Sequence, residues 1–238
     1  MSLTVYEIAN EGPVGYLEIA TRGEYNRVVE ILKKRSAGPW TAPETKISFP
    51  FVPADIVGFG PNAVAFTSHA TELLRDLIDR CAEMLPIHSA YGDYVWFNCT
   101  EFLDCVDKER LEGTSASYGE NISLVWSGIK KWAFHEDKIT GAPPVFRTTL
   151  FGHSLKCFCS DVFKSRVEAA GLVGMSFNPV WNSETGGIPQ EFPALLGPEG
   201  LENGIIFEER QKELASRFGI FYPANWGSNN EDEGPILL

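Results

Sequence analysis

Two stretches of this chain follow the same plan. "AVAFTSHATELLRDLIDRCAEMLPIHSAY" covers residues 63–91, and "KCFCSDVFKSRVEAAGLVGMSFNPVW" covers 156–181. Each reads as a short apolar strand, a serine, a helix and a second apolar strand. In the first, Val64 to Thr67 is the strand, Ser68 the expected N-cap, and Leu73, Leu74, Leu77, Ile78 and Cys81 the helical stripe. In the second, Cys157 to Cys159 is the strand and Ser160 the N-cap. Phe163, Val167 and Ala170 form its stripe, and Gly171 takes the left-handed C-cap with Leu172 beyond it. The serines are 92 residues apart, and the stripes match after a slip of about two residues. Neither helix can bury its stripe within its own unit. The expectation is an α+β fold in which both units pack into one continuous structure.

The flanking sequence extends this plan. "TVYEIAN" and "VGYLEIA" read as N-terminal strands, and "EYNRVVEILKKR" as a helix with Val28, Val29 and Leu32 on one side. "TAPETKISFPFVPAD" is broken by prolines and extended. Between the units, Tyr94 to Asn98 is strand-like and Glu101 to Leu111 is read as a short helix. "SYGENISLVWSGIKKWAF" reads as strand followed by helix. The expected organisation is one domain over 1–182. A Gly/Pro-rich extension over 183–238 carries one helix, "IIFEERQKELASRFGI", and an acidic tail, and packs on the same domain.

Charge narrows the partners. The net charge of −12 disfavours nucleic acid, whose phosphates an acidic surface repels, and favours a cationic partner. Residues 72–120 alone hold 11 acidic and 4 basic side chains. The alternative is a solvated face that serves solubility. No apolar stretch approaches the length needed to span a bilayer, and the N-terminus carries no secretory signal pattern. Five cysteines, an odd number, fit reduced thiols in a cytoplasmic protein better than a disulfide framework.

Chemistry-bearing patterns are sparse. Cys157 and Cys159 face one side of a strand, but with His153 they do not make a closed zinc site, and buried core thiols are the better reading. Ser68 and Ser160 lie outside any G-x-S-x-G, and capping is role enough for them. Glu101 and Asp104 could form an acid–base pair, though paired acids on a helix surface are far commoner. No phosphate-binding glycine loop occurs. The expectation is no enzyme, no cofactor and no metal.

The order of motifs resembles immunity protein family eleven of the bacterial polymorphic-toxin systems, over about residues 49–181. "PADIVGF" resembles its lead-in and "AVAFTSHATELLRDL" its first strand–serine–helix unit. "YVWFNCTEFLDCVD" is similar to its middle motif, with Asn98, Asp104 and Asp107 in place. "GAPPVFRTT" and "CFCSDVFKSRVEAAGLVGMSFNPV" complete the pattern. The resemblance implies a cytoplasmic protein that binds and neutralises a cognate toxin domain and has no catalytic residues. Asp104 and Asp107, as family positions, are candidates for structural roles such as capping a helix. An adaptor for a secreted effector, or an enzyme of unrecognised type, remains the alternative.

A basic toxin domain would be steered by negative charge and anchored by aromatics. The expected contact surface is therefore Asp93, Glu101, Glu109, Glu112 and Glu120 with Tyr91 and Tyr118 among them. Tyr94 is a further candidate if it does not lie in a buried strand.

Overall fold

The two repeats build two different sheets. The computed structural model describes residues 2–10, 15–32, 38–47, 54–60, 63–90, 92–118, 123–150 and 156–190. In chain order the elements begin with β1 (Thr4–Asn10), β2 (Tyr16–Ile19), α1 (Arg22–Leu32), β3 (Thr45–Ile47) and β4 (Ile56–Phe59). The first repeat follows as β5 (Ala63–Thr67), α2 (Ser68–Ile78) and β6 (Ala82–Ser89), then β7 (Gly92–Cys99). Next come β8 (Phe102–Leu103), β9 (Glu112–Tyr118), β10 (Ser123–Lys131), α3 (Glu136–Ile139) and β11 (Val145–Thr148). The second repeat is β12 (Cys157–Ser160), α4 (Asp161–Ala169) and β13 (Met175–Asn182), ending in β14 (Gly186–Gly187). The class is α+β, as the sequence pattern predicts.

One sheet has the order β3-β2-β4-β5-β7-β6, the other β14-β13-β1-β12-β11-β8, and β9 and β10 form a separate ribbon. Aligned on their repeats, β2-β4-β5-β7-β6 and β8-β11-β12-β1-β13 are the same arrangement. In each, the first pair is parallel and the remaining three are antiparallel. Backbone hydrogen bonds recur at matching places. Thr67 N donates to Asp55 O at 2.8 Å as Ser160 N does to Pro144 O at 3.1 Å. Gly58 N donates to Gly15 O as Arg147 N does to Glu101 O, and Gly60 N to Leu17 O as Thr149 N does to Leu103 O. Pro86 faces Val95, and its counterpart Pro179 faces Tyr6. The two halves thus share one strand arrangement, with one strand permuted in chain order. β7 follows β6 directly, whereas its counterpart β1 comes from the far N-terminus.

The N-terminal strands consequently do not pair with each other: β1 enters one sheet and β2 the other. Asp161, first residue of α4, holds β1 in place by accepting from Thr4 N at 2.9 Å and from the Tyr6 hydroxyl at 3.0 Å.

The helix stripes need correction. The buried residues of α2 are Ala70, Leu74 and Ile78, while Leu73 is exposed. Those of α4 are Phe163 and Val167. Ala70 corresponds to Phe163 and Leu74 to Val167 with no slip. A small residue in one helix is answered by a large one in the other. In α1 the buried face is Val28, Ile31 and Leu32, with Ile31 in place of Val29. The N-cap of α2 is Thr67, not Ser68: its hydroxyl accepts from Ala70 N at 3.2 Å. Ser160 does hold the N-cap position of α4, but its side chain makes no capping bond. At the other end, Gly171 has φ 66°. Gly171 N reaches Glu168 O and Leu172 N reaches Val167 O, the paired bonds of a Schellman turn.

Glu101 to Leu111 is not a helix. It forms β8, a bridge from Val106 to Phe134, and a turn closed by Arg110 N on Asp107 O. Within the stretch read as strand then helix, Ser123 to Lys131 is one continuous strand. At the start of the expected extension, Gly186 to Ile188 pair along β13, while Ser183 N donates to Leu3 O and Gln190 N to Lys130 O of β10. The helix expected within 205–220 and the acidic tail lie outside the described residues.

Three apolar clusters hold the layers. One covers the outer face of the first sheet beneath α1, and one the outer face of the second. The third lies between the halves and draws on both: Phe66, Leu74 and Phe97 meet Cys159, Phe163 and Val167. Cys157 and Cys159 share this cluster, on one strand face as expected, and all five cysteines are free and buried. At the seam, Arg166 of α4 forms a two-pronged ion pair with Asp76 of α2 at 2.8 and 3.1 Å. It holds the Asp76 carboxyl below its ordinary range. Arg147 is fully buried there, donating to Leu32 O at 2.6 Å and to Asn98 Oδ1 at 3.5 Å. The Cys99 hydrogen bond, and then the Arg147 charge, hold the Cys157 thiol below its ordinary range.

Candidate partner-binding groove

A groove of about 1420 Å³ lies beside the outer face of the second sheet. One wall is the turn from Asp107 to Glu112. The floor and second wall run from Lys131 through α3 to Thr140. The segment from Ser183 to Gly187 closes the end. Local chemistry sets each piece. Asp107 Oδ1 accepts from Glu109 N at 3.1 Å, an Asx turn that points residues 108–110 outward. Asp107 N in turn donates to Ala133 O, and His135 N to Cys105 O, so the turn and floor are stitched together. The end wall is tied across the groove by Ile188 N on Val180 O and Gln190 N on Lys130 O. Gly187 is required there, because a Cβ would run into the Trp132 carbonyl.

The floor is aromatic. Trp132 stacks on Phe134 at 5.7 Å, and Phe134 meets the Trp181 edge at 6.1 Å. All three are buried, so they fix the shape of the groove and offer little free apolar area. The rim is charged. Asp107, Glu109, Glu112, Glu136, Asp137 and Glu184 line it, against Arg110 and Lys131. Both cations are engaged within the rim, Arg110 with Asp107 at 3.6 Å and Lys131 with Glu112 at 3.4 Å. Among the described residues, no cation pairs with Glu109, Glu136, Asp137 or Glu184, and all four are exposed.

Of the residues expected to make one contact surface, the structure brings two to the groove and places Asp93 in the other sheet. Glu109 and Glu112 line the groove. Asp93 lies at the β6–β7 hairpin in the other sheet, 3.1 Å from His88 Nδ1. Glu101 is half-buried between β7 and β8, its carbonyl held by Arg147 N. Tyr118 ends β9, and Tyr94 is buried, 3% exposed. Tyr91 and Glu120 lie outside the described residues, as does His153. Glu136, Asp137 and Glu184 were missed because their neighbourhoods in sequence are nearly charge-balanced.

The motif residues have structural roles. Asn98 is buried and donates to Glu83 at 3.1 Å, and Asp104 receives the Thr149 hydroxyl at 3.1 Å. Asp107 holds the turn of the groove wall. Among the described residues, no three His, Cys, Asp or Glu side chains gather as a metal site, and no helix is long and apolar enough to cross a membrane.

Residues 80–182 match the Immunity protein family (Imm11). This is the family that the motif order resembles. The match begins later than that resemblance, so "PADIVGF" and most of the first repeat lie ahead of it. No curated protein matches the chain. The Imm11 segment is not a closed unit in the fold. It contains β12 and β13, but β1 between them comes from outside it. The groove lining from Asp107 to Trp181 falls within it, and Ser183 to Gly187 follow directly.

Proposed function

We propose that the chain is an immunity protein of a bacterial polymorphic-toxin system, which binds a cognate toxin domain in the cytoplasm of the producing cell and neutralises it. The match to the Imm11 family over residues 80–182 carries this reading. The net charge of −12 supports it, because toxin domains that act on nucleic acid bear basic surfaces to which an acidic inhibitor is steered. The role is inhibition by occupancy and needs no chemistry from this chain.

The test is protection. The toxin domain encoded beside this chain is expressed in a bacterial host with and without the full chain. Growth restored by the chain supports the reading. A complex that forms without restoring growth identifies an adaptor instead, and absence of both binding and protection removes the immunity role.

A further inference from the structure

We propose that the groove walled by Glu109, Glu136, Asp137 and Glu184 is the toxin-facing surface, and that its occupant is an arginine- and lysine-bearing segment of the toxin domain. The proposal rests on the immunity reading and adds the location and the chemistry of the partner.

The first argument is topological. The two halves share strand order, register and helix stripes, so what they share is what the fold needs. Between β2 and β4 the first half has α1 and β3. Between the equivalent β8 and β11 the second half has instead the turn at 107–110, the β9–β10 ribbon and α3. β14 likewise has no counterpart in the first half. Apart from Trp181, every described residue lining the groove lies between β8 and β11 or in β14 and the turn that leads into it. The groove is made of what the second half holds in addition to the common scaffold.

The second argument is charge. The rim carries six carboxylates against two cations, and the two cations are already paired within it. The remaining exposed carboxylates repel one another, and an incoming cationic segment relieves this. The buried floor offers shape without a free apolar face, which suits charged side chains better than an apolar plug. The chain's own residues 191–238 are a poor occupant by the same criterion: they hold 9 acidic and 3 basic side chains.

The experiment is titration calorimetry of the full chain against the toxin domain encoded beside it, at two salt concentrations. The wild type is compared with Glu109→Lys/Asp137→Lys/Glu184→Lys and with a control reversal, Asp93→Lys, on the other sheet. Circular dichroism reports folding, and hydrogen exchange of the wild-type complex maps the footprint if the triple variant does not fold. The expected result is at least tenfold weaker binding and a flatter salt dependence for the triple variant, little change for the control, and protection over 107–112, 131–137 and 183–187. Wild-type binding with an unchanged triple variant, or a footprint elsewhere, overturns the groove and leaves the immunity role standing. No binding and no protection by the wild type overturns both.

Discussion

The buried guanidinium of Arg147 donates to the carbonyl oxygen of Leu32 at 2.6 Å, so a strand of the second half caps the last turn of the helix that covers the first. At the equivalent place in the first half stands Gly58, against which the Tyr16 ring packs. Phe102, the counterpart of Tyr16, lies 5.5 Å from the Arg147 guanidinium. The second half thus has a cation where the first has no side chain, and that cation joins the halves.

Arg147→Met should destabilise the protein by about 3 kcal/mol. It removes only one side of a buried polar set and leaves the Leu32 carbonyl and Asn98 without their donor. Arg147→Lys should recover little, since an ammonium cannot serve both acceptors with the planar fork. Urea unfolding midpoints decide this. A Met variant as stable as the wild type would mean that the bridge contributes nothing net.

Gly174 and Gly171 both have positive φ, 113° and 66°, but differ in space. A Cβ at Gly174 would collide with the Ile56 carbonyl across the seam, whereas at Gly171 it meets nothing within 4 Å. Gly171→Ala should cost about 1 kcal/mol, the strain of a left-handed residue. Gly174→Ala should cost about 3 kcal/mol or more, because the backbone must also move. Thermal melts of the two variants should rank in that order, and equal losses would contradict the close approach.

The capping correction can be tested with three alanines. Thr67→Ala should lose about 1 kcal/mol. Ser68→Ala and Ser160→Ala should fall within about 0.5 kcal/mol of wild type, since neither side chain accepts a capping bond. A loss at Ser68 as large as at Thr67 would restore the cap that the sequence suggested.

Thr4 pairs with Asn182, so the start of β1 lies beside the end of β13 much as β7 follows β6 in the first half. A variant in which a short turn joins Asn182 to Leu3, with the new N-terminus at Gly15 and residues 183–238 removed, should keep both sheets apart from β14. Deletion of residues 2–10 should unfold the second sheet, because β12 and β13 lose the strand between them. Circular dichroism and hydrogen exchange would show this. A folded deletion variant would refute a structural role for β1.

Much of this was legible in the sequence where the signal is local. Both strand–helix–strand units, the turn at Gly171 and the buried thiols follow from periodicity and cap chemistry. Strand partners did not, since β1 and β2 look like a hairpin and only the long-range match of Val5 to Ser160 and Trp181 separates them. The false helix at 101–111 came from apolar residues at helical spacing, but Val106 and Leu111 reach the outer cluster through a bridge and a turn. Of the groove, charge density exposed Glu109 and Glu112. Its other wall is assembled from positions that only the fold brings near.

The permuted strand also sets an order of events during synthesis. The first sheet has every strand it needs once Cys99 has left the ribosome. β1 emerges before all of them, yet its neighbours are not made until residues 157–182. At ordinary elongation rates of about 5–20 residues per second, that interval is on the order of ten seconds or more. Throughout it, β1 presents two open edges to whatever is near. A nascent chain of this protein is therefore open to mispairing at β1 until the second repeat has been made.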